Sequence, residues 1–137
     1  MNEEVLDAEM TKAENTSSPA VVIEKHRASY FFTGIDKETL ATKVEEFLLG
    51  KGYKLETGNK FAGQYGKGNK LMRVLFGAFV KRFCWGIQID EVGDRVKLRL
   101  AKDEKGYVGG VIGANQVKNE YASITTSLKN WHASMHS

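Results

Sequence analysis

Val96, Leu98 and Leu100 alternate with Arg95, Lys97 and Arg99, the period-two pattern of a strand with one face buried and the other wet. Phe83, Trp85, Ile87 and Ile89 alternate in the same way with Cys84, Gly86, Gln88 and Asp90, and Glu91-Val-Gly-Asp94 joins the two runs through a turn. Further on, Val117, Tyr121, Ile124, Leu128 and Trp131 recur at spacings of four, three, four and three. That spacing puts them on one stripe of a helix, predicted over Ala114–Ala133. A strand run with an apolar face and a helix with an apolar stripe must bury each other.

The first half reads similarly. Arg27 to Thr33 contains Tyr30, Phe31 and Phe32 and predicts a strand. Val21-Val-Ile23 before it reads either as the start of a strand or as an apolar clasp at the domain edge. After Gly34, Asp36 is placed to cap a helix that carries Leu40, Val44, Phe47 and Leu48 on one side. Gly50 and Gly52 follow, either one able to take the left-handed conformation that ends a helix. Tyr53 to Thr57, then Phe61, Gly63 and Tyr65, predict two short strands around Gly58-Asn59. Leu71 to Val80 is almost wholly apolar and predicts another strand, with Gly77 as a bend.

The expected fold class is therefore α+β: strand, helix, four to five antiparallel strands and a long C-terminal helix, the sheet curved around that helix. Leu40, Val44, Phe47, Leu75, Phe83, Trp85, Ile87, Leu98, Leu100, Tyr121, Ile124 and Leu128 should make one core. In its order of elements, residues 27–133 resemble the TATA-binding-protein-like and helix-grip group, which includes the START and Bet v 1-like binders of lipids and hormones. The resemblance implies a sheet that grips the last helix, with an apolar ligand between them. It differs from those binders in having one short helix after the first strand rather than two.

Composition adds bounds. The 137 residues fit one domain, read as a single α+β unit over 21–134. Residues 1–20, rich in Glu, Thr, Ser and Asn and without an aromatic residue, read as a disordered acidic arm. Nothing approaches the ~18 apolar residues of a membrane helix, and the N-terminus lacks a secretory pattern, so a soluble, cytoplasmic protein is expected. Cys84 is the only cysteine, which excludes an intramolecular disulfide and thiolate metal sites of the CxxC kind.

Charge is uneven. Residues 1–26 hold six acids against Lys12 and Lys25, whereas Lys51 to Arg82 hold eight cations against Glu56 alone. Lys60, Lys67, Lys70, Lys81 and Arg82 are the candidate patch for an anion or acidic partner, with aromatic residues interleaved. A net charge of only +3 and the scarcity of arginine beside lysine disfavour nucleic acid. Phe76, Phe83, Trp85 and Tyr121 are the candidate contacts for an apolar ligand.

Catalytic chemistry is not advertised. His26, His132 and His136 lie at the two ends of the chain; for His132, near the end of the last helix, and His136, in the tail, a solvated histidine is the default. The Gly106–Gly113 cluster matches neither the dinucleotide nor the P-loop spacing and reads as a flexible connection. No cofactor, metal or catalytic residue is expected. Two functions are carried forward. One is a non-catalytic binding module accepting a small apolar ligand or partner segment between sheet and last helix. The other is an interaction or regulatory domain that meets an acidic partner, an anionic membrane surface or nucleic acid through its basic hairpins.

Overall fold

The computed structural model describes residues 19–68, 83–102 and 110–135. They form β1 (Val21–Ile23), β2 (Arg27–Phe32), α1 (Lys37–Gly50), β3 (Lys54–Gly58), β4 (Ala62–Lys67), β5 (Phe83–Val92), β6 (Arg95–Lys102) and α2 (Gly110–Met135). The strands make one curved antiparallel sheet in the order β1-β2-β6-β5-β4-β3. The expected acidic arm through residue 18, the expected strand Leu71–Val80, Leu75 and the first half of the Gly106–Gly113 loop lie outside the described residues. The second half of that loop belongs to α2 and is no flexible connection.

Local chemistry sets the element ends. Asp36 Oδ1 accepts from the Thr39 amide at 2.7 Å, which fixes the start of α1 and holds the exposed carboxyl below its usual range. At the other end Gly52, not Gly50, takes the positive φ of 94°. The Gly52 and Tyr53 amides then donate back to the Leu49 and Leu48 carbonyls at 3.0 and 2.9 Å, two helix-end acceptors satisfied in one turn. The β5–β6 hairpin closes through Gly93 at φ 63°, matching the alternation that predicted it. Val92 faces Arg95, Ile89 faces Leu98 and Ile87 faces Leu100.

One face of the sheet is apolar. Ala28, Tyr30 and Phe32 of β2 align with Leu100, Leu98 and Val96 of β6, then with Ile87 and Ile89 of β5. Tyr65 of β4 lies beside Trp85. Leu40, Val44 and Leu48 of α1 and Tyr121, Ile124 and Leu128 of α2 pack on this face as one core, with Phe47, Val117 and Trp131 half-buried at its border. Ile124 is 2% exposed, as its place in the stripe requires.

Hydrogen bonds fix the pose of α2. The Tyr30 hydroxyl donates to the Thr125 carbonyl at 2.8 Å and the Tyr121 hydroxyl to the Glu24 carbonyl at 2.7 Å.

Two expectations need correcting. α2 begins at Gly110 rather than Ala114. The stripe positions before Val117 are Gly113 and Gly110, which carry no hydrophobic signal although glycine is tolerated in a helix at a cost of about 1 kcal/mol. His132, expected in solvent, is buried. Its ring meets Phe32 edge-on at 4.8 Å between centroids, and Nε2 lies 2.7 Å from the Phe31 carbonyl oxygen.

Candidate functional site at the mouth between sheet and last helix

The space between the sheet and α2 closes differently at its two ends. Where the C-terminal half of α2 crosses β2, Trp131 packs against Phe32 and Phe47 with centroids 5.7 and 5.3 Å apart, and His132 completes the seal. Where the N-terminal half of α2 passes the ends of β4 and β5, a cleft of about 390 Å³ opens, lined by Lys67, Gly68, Phe83, Gln116, Asn119 and Glu120.

Trp85 anchors that cleft from behind. It is fully buried and surrounded by Tyr53, Phe83 and Tyr121 at centroid distances of 6.3, 6.4 and 6.0 Å. The Phe83 and Trp85 planes differ by only 7°, so Phe83 continues the indole surface toward the opening. This arrangement follows from the two-residue period of β5: positions 83 and 85 must share a face.

A polar group stands beside these rings. The buried Tyr53 hydroxyl donates to Glu120 Oε2 at 2.6 Å, and Lys67 Nζ lies 3.4 Å from the same oxygen. The Lys67 ammonium is also 5.4 Å from the Tyr53 ring centre, within range of cation–π attraction. Burial, then the neighbouring Glu120 carboxylate, pushes the Tyr53 hydroxyl pKa far above its usual value. Tyr53 therefore stays a neutral donor that aims Glu120, and Lys67 balances the carboxylate's charge. Among the described residues, the rim is polar and its two charges, Lys67 and Glu120, balance.

The sequence-based candidates separate on this geometry. Phe83 lines the cleft; Trp85 and Tyr121 lie buried behind it, and Phe76 falls outside the described residues. Lys60 and Lys67 flank opposite ends of β4, roughly 20 Å apart along a strand. Lys60 is held on α1, 2.6 Å from Glu38 and 3.0 Å from the Thr42 hydroxyl. These two lysines thus stand apart, each with a carboxylate. Lys70, Lys81 and Arg82 are outside the described residues.

Tyr53, Gln116, Asn119 and Glu120 escaped the reading of the sequence. The available signal was their spacing: 116 and 120 flank Val117 and Tyr121 of the apolar stripe and so border the buried face. Among the described residues, no three His, Cys, Asp or Glu side chains gather as metal ligands. No helix among them is long and apolar enough to cross a membrane. Comparison with family models, curated proteins and solved structures gives no match for this chain.

Proposed function

We propose that the protein is a non-catalytic binding module whose cleft takes a small amphipathic ligand or an apolar segment of a partner. The observation that carries this reading is Phe83, an aromatic ring at the wall of a 390 Å³ opening whose rim is the neutralised Lys67–Glu120 pair. Small-molecule sites are commonly concave, apolar and oriented by a few polar groups, with volumes of about 300–1,000 Å³. The apolar part of the ligand lies against Phe83. Its head, uncharged or zwitterionic to suit the balanced rim, meets Lys67, Gln116 and Asn119. The helix-grip resemblance in element order supports the same reading by analogy only.

The test is a titration of the protein with a medium-chain alkylphosphocholine below its micelle concentration, followed through the aromatic resonances of Phe83 and Trp85. Saturable shifts are expected, with affinity reduced about tenfold by Phe83→Ala, equivalent to about 1.4 kcal/mol of lost apolar contact. Absence of saturable shifts, or shifts indifferent to Phe83→Ala, would remove the cleft as the site.

A further inference from the structure

The opposite face of the sheet is cationic, and one of its cations stands out. Arg27 Nε lies 3.4 Å from Glu24, and Arg99 Nη2 donates to Gln88 Oε1 at 2.6 Å. Lys97 sits across from Asp90 in the register and 5.8 Å from the Phe31 ring centre. Arg95 stacks on the same ring at 4.3 Å, is only 8% exposed, and keeps Nε and Nη2 buried without an acceptor. Stacking satisfies the face of a guanidinium but not the N–H groups in its plane. Buried charged donors without acceptors are costly. Nε and Nη2 share one edge of the guanidinium, the edge that receives a carboxylate through two parallel hydrogen bonds.

The sequence before β1 is rich in carboxylates. The Phe31 amide donates to the Ala20 carbonyl at 2.8 Å, and β1 runs antiparallel to β2. Traced backward from Val21, the backbone therefore heads for the end of β2 where Phe31 and Arg95 meet. Crossing from β1 over β2 to β6 takes two strand spacings, about 10 Å. Glu14 precedes Ala20 by six residues, which span up to about 20 Å when extended. Residues 1–18 carry Glu3, Glu4, Asp7, Glu9 and Glu14 against Lys12.

We propose that a carboxylate of segment 1–18 docks on the Nε/Nη2 edge of Arg95, with Lys97 as flanking charge. The segment thereby occupies the cationic face in cis. This surface lies across the sheet from the cleft, and the two proposals stand or fall separately. Any anionic partner of this face must displace a tethered competitor whose effective concentration is about millimolar.

The test uses the full chain with Glu3→Gln, Glu4→Gln, Asp7→Asn, Glu9→Gln and Glu14→Gln together, compared with the parent by NMR. The Arg95 Nε–H resonance and the Phe31, Val96 and Lys97 amides should shift, and 1 M salt should move the parent toward the neutralised chain. The neutralised chain should also bind a synthetic peptide of residues 1–18 about tenfold more tightly than the parent, because its own competitor is gone. Lys97→Glu in the parent should reproduce the shifts at Phe31 and Arg95 without removing the Arg95 side chain. Unchanged resonances at Arg95 on neutralisation overturn the proposal. Equal peptide binding by parent and neutralised chain does so too, since it marks a site for an external acidic partner only.

Discussion

The two ends of the interface between the sheet and α2 are built from similar rings put to opposite uses. At one end Phe32, Phe47, Trp131 and His132 interlock, and His132 Nε2 meets the Phe31 carbonyl oxygen. At the other, Phe83 lines a cleft with Trp85, Tyr53 and Tyr121 packed behind it, and Glu120, bonded by Tyr53 and Lys67, stands at its rim. Aromatic supply alone does not distinguish a plug from a binding wall. The difference lies in whether the bordering helix positions are large and apolar, as at 131, or short and polar, as at 116 and 119.

That contrast can be broken at the sealed end first. Phe32→Ala should destabilise the protein by about 3–5 kcal/mol in urea or thermal unfolding, because a fully buried ring with two aromatic neighbours leaves a cavity when removed. A loss under about 1 kcal/mol would mean that the seal is not part of the core.

Alkali sharpens the comparison, since Tyr65 and Tyr121 both adjoin Trp85. Burial raises the hydroxyls of Tyr65 and Tyr121 to about 12, helped by Glu45 and Glu24 respectively. In the unfolded chain these groups ionise near 10. Below pH 10 both states hold the proton and the stabilisation is complete. From pH 10 to about 12 the unfolded state alone releases it, so stability falls across that window. Hydrogen exchange measured between pH 9 and 11, corrected for its intrinsic pH dependence, should show protection lost first around Tyr65, Trp85 and Tyr121. Simultaneous loss at Phe32 would erase the distinction between the ends.

A smaller effect belongs to the rim. Tyr53→Phe removes a hydrogen bond to a carboxylate while leaving the ring in place, and should cost about 1–2 kcal/mol. Glu120 would then lose its aim, and affinity for an amphiphile should fall with little change in the Phe83 environment. Unaltered stability and affinity together would show that the pair is incidental.

How much of this was legible depended on the range of the interaction. Alternation in β5 and β6, the Asp36 cap and the stripe from Val117 to Trp131 are local patterns, and each reappears in the structure. The Tyr53–Glu120 bond joins residues 67 positions apart, and nothing near either one announces the other. His132 misled because a histidine at the border of a stripe looks the same whether a strand carbonyl awaits it or water does. Arg95 misled in the same sense: alternation assigns it correctly to the outer face, but outer did not mean exposed, because Phe31 provides a ring on which to lie.

The placement of β2 beside β6 has a consequence for synthesis on the ribosome. Tyr30 and Phe32 emerge early, yet their strand neighbours are Leu98 and Val96, and the ring that seals Phe32 belongs to residue 131. The β6 side of this strand stays unpaired until about seventy further residues have been added, and the Trp131 ring follows about thirty residues later. Contacts so distant in sequence close slowly, and apolar strands waiting for them are exposed to association with other chains. A nascent chain stalled before β6 should therefore engage chaperones through residues 27–32, and release them once α2 has left the exit tunnel.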